Sequence, residues 1–256
     1  MLRQPLGVIR GDIPSREVNA TYCKCNILIE SILFGGLDGV HRGWSCRLAP
    51  HLSMIGLEMT MHRTVVYVDW DTARRLDTKR ENTVAGIERS FEKIRCSISR
   101  SLAHQDAKAH FRVYWRIYHG WHAKNVKTED RRLFEKYASS ARSATIDRVS
   151  FSTDFIYSGD ALCGSHRVPV FDTLRYDRVS GVASQKMVDT MLACDLLHLA
   201  RTKEYSYHIV VADDDDALPA IMAAEAWRAK VFLLHRREHL NKYLNLEGIA
   251  QKMEFV

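Results

Sequence analysis

No run in this chain approaches the ~20 consecutive apolar residues needed to span a bilayer. Its opening, MLRQPLGVIRGDIPSREVNA, lacks the apolar stretch of a secretory signal. A cytoplasmic protein without a membrane partner is the expectation. Cysteine is scarce and scattered, with six residues (Cys23, Cys25, Cys46, Cys96, Cys163 and Cys194) in 256. Without an export signal they are expected to be reduced thiols. Cys23, Cys25, His41 and Cys46 could offer zinc ligands, but CKC followed by widely spaced partners is not the spacing of a ribbon or finger. Residues 1–60 also lack any sustained period of 2 or 3.6 and carry FGGLDGVHRG, so they are expected to be an extension ahead of a domain over 61–256.

Compensating charge is missing where it would be most needed. Asp213, Asp214, Asp215 and Asp216 follow one another in HIVVADDDDALPAIMAAEAWRAKVFLL, with no matching set of cations nearby. The chain as a whole is basic, with 37 Lys and Arg against 31 Asp and Glu, a net charge of +6. Acidic residues gathered in a few places on a basic chain fit a polyanionic partner drawn by a basic surface and met by an acidic centre, while composition alone favours an ordinary solvated basic surface.

From Arg63 onward the pattern is regular. TVVYVD (64–69), FRVYWRIYHG (111–120), YHIVVAD and KVFLLHR read as strands. Helices are expected over 81–103, where Val84, Ile87, Phe91, Ile94, Ile98 and Leu102 share a face, over 129–144, over 184–204 and over ALPAIMAAEAWRA. Short extended segments fill 149–177. Strands alternating with helices make an α/β fold with a mainly parallel central sheet covered on both faces. Such sheets bind ligands at the carboxyl ends of their strands. Asp69 and the run Asp213 to Asp216 fall at those ends.

On the wheel of the helix 184–204, Asp189 and Asp195 border the stripe Val188, Met191, Leu192, Leu196, Leu199 on opposite sides, so neither is expected on the solvated face. A carboxylate there is costly unless paired or bound to a cation, and Lys186 could pair with Asp189. Carboxylates crowded at strand ends raise one another's pKa unless a divalent ion neutralises them, which is how hard Mg²⁺ or Mn²⁺ sites are built. Asp216, with Pro219 in the first turn of the next helix, could instead serve as its cap, but a cap accounts for one aspartate of four.

Three segments in order, VVYVDWDTARRL, QKMVDTMLACDLL and HIVVADDDDALPAIMAAEAWRAKVFLL, resemble the NYN domain of the PIN-like nucleases over residues 63 to 236. The resemblance implies a PIN-like three-layer α/β/α sandwich, dependence on Mg²⁺ or Mn²⁺, and RNA ahead of DNA as substrate. By motif position, Asp69, Asp189, Asp214 and Asp216 match the catalytic, metal-binding carboxylates. Asp213 and Asp195 stand behind them as metal candidates. Asp213 occupies the place of a family glycine and Ala217 that of an aromatic residue, which leaves Asp213 and Asp214 both open as the ligand.

For the substrate, Asp71, Lys186, Arg116 and Lys124 are the candidate contacts. FRVYWRIYHGWHAKNVK interleaves cations with Tyr114, Trp115, Tyr118 and Trp121, which fits either a groove that stacks bases or a strand whose aromatics pack in the core. His119 and His122 are expected at the surface, as are Arg236, Arg237 and His239. Two other readings remain. VDWDTA also resembles the start of a haloacid-dehalogenase-like phosphatase, and a non-catalytic nucleic-acid-binding module fits the basic surface. A homo-oligomer is compatible with the sequence.

Overall fold

The apolar run expected over 64–69 forms the second half of β1 (Met61–Asp69), the central strand of the sheet. The computed structural model describes residues 60–124, 126–158 and 173–236, together with the backbone of 250–252. The expected extension, all but its last residue, therefore lies outside the described residues, as do the four zinc candidates, Arg237 and His239. Among the described residues no helix is long and apolar enough to cross a membrane.

After β1 come α1 (Trp70–Arg74), α2 (Val84–Gln105), β2 (His110–Tyr118) and a small hairpin of β3 (His122–Ala123) and β4 (Val126–Lys127). Then follow α3 (Glu129–Ser140), β5 (Ala144–Ile146), β6 (Val149–Tyr157) and a second hairpin of β7 (Leu174–Tyr176) and β8 (Ala183–Gln185). The chain continues through α4 (Val188–Thr202), β9 (Tyr207–Val211), a 3-10 turn at Asp215–Ala217, α5 (Leu218–Ala226), β10 (Val231–His235) and β11 (Ala250–Lys252). The main sheet has seven strands in the order β11-β10-β9-β1-β2-β6-β5, and every strand but β5 runs parallel.

Strand alternation divides the core between the two faces of this sheet. Val66 and Val68 of β1, with Ile209 and Val211 of β9, pack toward α2 and α3, where Phe91, Ile94, Phe134 and Tyr137 are buried. Val65, Tyr67 and Val210 face the other way, against Met191 and Leu196 of α4 and Ile221 and Ala224 of α5. The result is an α/β fold with helices on both faces of a mostly parallel sheet, compatible with a three-layer sandwich.

Three local departures from the expectation have identifiable causes. The helix expected from 184 begins only at Val188, because residues 183–185 pair as β8 and Met187 takes a left-handed conformation with φ of 66°. The helix expected to 144 ends at Ser140, and 144–146 instead adds an antiparallel edge strand to β6. The base-stacking alternative for the β2 aromatics is corrected: Trp115, Tyr118 and Trp121 are buried in the core. Trp115 Nε1 donates to the carbonyl of Ser152, and Trp121 Nε1 to that of Ile117.

The loop between α1 and α2 closes on Gly86. A Cβ built there would meet the Glu81 carbonyl at 2.2 Å and Asp77 Oδ2 at 3.2 Å. Helix propensity favours alanine over glycine by about 1 kcal/mol, while overpacking against backbone costs about 1–3 kcal/mol. Gly86→Ala is therefore expected to lower stability in urea unfolding. A stabilised variant would show that this loop is free to move aside.

Candidate active site

The chain builds β1, β2 and β6 outward on one side of the sheet, then returns across β1 to lay β9, β10 and β11 on the other. The strand order reverses between β1 and β9, and the connections leaving their carboxyl ends diverge to opposite faces, opening a crevice. Asp69 is the last residue of β1 and caps α1: its Oδ1 accepts from the Asp71 amide at 3.1 Å, and its Oδ2 from the Thr72 amide at 3.1 Å and hydroxyl at 2.6 Å. The Thr72 hydroxyl in turn accepts from the Asp213 amide at 3.0 Å, tying the loop after β1 to the loop after β9.

The four consecutive aspartates have different roles. Asp213 is buried and holds Arg236, accepting its amide at 2.8 Å, its Nε at 2.8 Å and its Nη2 at 2.6 Å. Arg236, expected as a solvated basic end, is the partner of Asp213. Asp214 caps the 3-10 turn, accepting from the Asp216 amide at 3.3 Å. Helix α5 is entered through Ala217 without a side-chain cap, so the capping role expected of Asp216 is not filled by it. Asp214, Asp215 and Asp216 are all exposed.

Asp189, in the first turn of α4, is exposed, contrary to its expected place off the solvated face. Its pKa is nonetheless pushed up by partial burial and then by the charges of Asp69, Asp214 and Asp216, which places those three within electrostatic reach of Asp189. Burial also raises the pKa of Asp69; the Thr72 hydroxyl opposes that shift and the charge of Asp71 adds to it.

A second bank faces this one. His119 is buried, not at the surface as expected, and His122 is buried with it. His119 Nε2 lies 3.0 Å from Asp130 Oδ2, and its Nδ1 lies 2.8 Å from Gln185 Nε2. An amide nitrogen only donates, so Nδ1 is the acceptor and the proton sits on Nε2, toward Asp130. The same amide nitrogen of Gln185 donates to Asp71, against which Arg74 also stands. The pKa of Asp130 is lowered, chiefly by its hydrogen bond from His119.

Asp69, Asp71, Asp130, Asp189, Asp213 and Asp214 together line a cleft of about 530 Å³, with His119, Gln185, Arg74 and Arg75 on its walls. No protein-family model, no curated protein and no solved structure matches the chain.

Asp195 does not line the cleft. It is buried, and its Oδ2 accepts from Arg116 Nη1 at 2.8 Å and from Tyr118 Oη at 2.6 Å. That pairing supplies the cation expected for Asp195 and draws Arg116 inward, away from a substrate role. Lys186 and Lys124 are exposed and also stand outside the lining, as does Asp216, although its charge is felt at Asp189. Among the described residues no group of three His, Cys, Asp or Glu side chains forms a ready set of metal ligands. Thr72, Asp130 and Gln185 were not anticipated. Only Thr72 carried a local signal, standing three residues after a strand-end aspartate, as a cap partner would.

Proposed function

We propose that the chain is a PIN-like, divalent-metal-dependent nuclease that hydrolyses phosphodiester bonds, in RNA ahead of DNA, at this cleft. One observation carries the reading. Among the described residues Asp71, Asp130 and Asp213 each have a cation at hand, whereas no ion pair is formed by Asp69, Asp189, Asp214 or Asp216. Asp69, Asp189 and Asp214 line one switch-point crevice, Asp189 feels the charges of Asp69, Asp214 and Asp216, and uncompensated carboxylates so placed favour a cation of high charge. The donors are all carboxylate oxygens, the ligand type of Mg²⁺ and Mn²⁺, and Asp69 keeps lone pairs beyond those its capping bonds use. Asp69, Asp189 and Asp214, with Asp216 behind them, would hold the metal. A bound ion at such a site supplies Lewis-acid polarisation of a phosphoryl oxygen and a water of lowered pKa.

The chain's own residues do the rest. Thr72 holds Asp69 and the backbone of Asp213 in one frame, so the two strand ends cannot drift apart. His119, fixed by Asp130, orients Gln185, and Gln185 in turn orients Asp71 at the cleft wall.

The direct test is incubation with labelled single-stranded RNA and DNA in Mg²⁺, Mn²⁺ or EDTA. Cleavage with either metal and none in EDTA is expected. Inorganic phosphate released from a small phosphomonoester, without oligonucleotide cleavage, would point to the phosphatase reading, and binding without turnover in Mn²⁺ to a non-catalytic module. The ion should also be visible in stability. A ligand that binds only the folded chain stabilises it by about 2.7 kcal/mol at a hundredfold excess over Kd. Millimolar Mn²⁺ is expected to raise the Tm of the wild type, and to raise that of Asp69→Asn or Asp214→Asn much less. Equal shifts in all three proteins would show that the ion binds elsewhere.

A further inference from the structure

Beside the acidic cleft lies a second cavity of about 370 Å³, between α1, the start of α2 and the loop that joins them. Its character is opposite. Arg74, Arg75 and Arg80 line it together with Asn82, and the N-terminal end of the 22-residue helix α2 contributes Gly86 and Ile87 to the wall. Glu81 is the one acidic residue of the lining, and its carboxylate is taken by Arg89 at 2.6 Å. Arg75 and Arg80 form no ion pair among the described residues, and the first turn of α2 carries no acidic side chain of its own, although buried Asp77 stands beside Gly86 there.

Two features mark this cavity as built to hold something. Ser90 lines it with its side chain fully buried, yet its hydroxyl has no hydrogen-bond partner among the described residues. A buried hydroxyl left unmatched is costly, and a ligand oxygen would remove the cost. The loop that presents Arg80 is also held rigidly. Buried Asp77 accepts from the amides of Lys79 at 3.3 Å and Glu81 at 3.1 Å, and from Arg89 through Nε at 2.8 Å and Nη2 at 3.0 Å. Arg80 itself sits at φ of 50°, a left-handed conformation that a non-glycine residue keeps only where its surroundings enforce it.

We infer that this cavity is a phosphate-binding subsite for Arg75, Arg80 and Ser90, and that it receives a phosphate group of the same strand whose neighbouring phosphodiester lies in the acidic cleft. The two cavities share Arg74 and Arg75, and Asn82 Nδ2 reaches Asp130 of the cleft at 3.2 Å. The assignment of a strand as the ligand rests on the nuclease reading; the affinity for phosphate does not.

The test is equilibrium binding in EDTA, where nothing is cleaved. A single-stranded RNA oligonucleotide, in 5′-phosphorylated and 5′-hydroxyl forms, is titrated with wild type, with the double variant Arg75→Ala/Arg80→Ala and with Ser90→Ala at several salt concentrations. Inorganic phosphate serves as competitor. The double variant is expected to bind on the order of tenfold more weakly, with the slope of log K against log salt reduced by about 0.7 for the one lost phosphate contact. Ser90→Ala is expected to weaken binding several-fold while its Tm stays level or rises. Loss on both oligonucleotides assigns an internal phosphate and loss on the phosphorylated one alone a terminal phosphate; either supports the subsite. Wild-type affinity and slope in the double variant would overturn it, as would a Ser90→Ala that melts earlier but binds normally. Should the wild type cleave nothing with Mn²⁺ while the arginines still govern binding, the nuclease reading falls and the subsite stands. Cleavage with binding indifferent to the arginines is the reverse result.

Discussion

Asp69→Asn is expected to lower the rate of RNA cleavage by on the order of a thousandfold or more while leaving the fold intact. An ion at this site would contribute several kcal/mol to the transition state, and each ~1.4 kcal/mol is a factor of ten. Folding depends on Asp69 differently. Asparagine keeps one side-chain oxygen for the cap of α1 where Asp69 uses two, and the substitution removes a charge that the fold opposes through burial and through Asp71. The pH dependence follows from the raised pKa of Asp69 in the folded chain. The folded state binds this proton more tightly than the unfolded state, so stability is fullest below the unfolded value of about 3.9 and is lost as pH rises through the folded value. Asp189 acts in the same direction, whereas the lowered pKa of Asp130 adds stability above the unfolded value and loses it as pH falls. In EDTA the Tm of Asp69→Asn should therefore gain on that of wild type as pH increases from 4 to 7. A gap that closes or reverses over this range would mean that the ionised Asp69 carboxylate stabilises the fold and serves only as a cap.

Asp195→Ala is expected to cost about 3–5 kcal/mol, the largest loss from any substitution considered, because it strands buried partners. The side chain of Arg116 is 14% exposed, and Tyr118 lies fully inside with its pKa pushed well up by burial and by Asp195. Removing the carboxylate leaves a guanidinium in the interface between α4 and the sheet without the anion that offsets its desolvation. Urea unfolding at constant m-value would measure the loss. The folded fraction should still show the Mn²⁺ shift in Tm, since Asp195 lies outside the cleft. A variant that keeps its stability but loses the metal shift would return Asp195 to the list of ligands.

Asp189 and Asp195 show how far a local pattern reaches. The helical wheel put Asp189 and Asp195 in equivalent positions beside one apolar stripe, and in both cases it required a compensating partner. It offered Lys186 for Asp189, a pair that does not form among the described residues, and no partner for Asp195. The partner of Asp195 is Arg116, 79 residues earlier on β2, brought opposite by the pairing of β2 with β1 and the packing of α4 over them. For Asp213 it is Arg236, 23 residues later at the end of β10. Asp189 and Asp69, among the described residues, have none, and so remain the candidates for a metal.

The sequence by itself determined the central strands β1, β2, β9 and β10 and the bodies of helices α2 to α5, because apolar periods of 2 and 3.6 select those backbones before any long-range contact forms, whereas the short strands β5 and β8 depend on their pairing partners. It also determined that the carboxylates fall at strand ends, since Asp69 closes one β-branched run and Asp213 follows another. Only the tertiary structure decided the strand order that sets β9 beside β1, the burial of His119 and Trp121, and the division of the acidic residues into paired and unpaired. The physical reason is that a carboxylate's state depends on the charges and dipoles within a few ångströms of it, and in a parallel sheet those come from strands whose connections are tens of residues long.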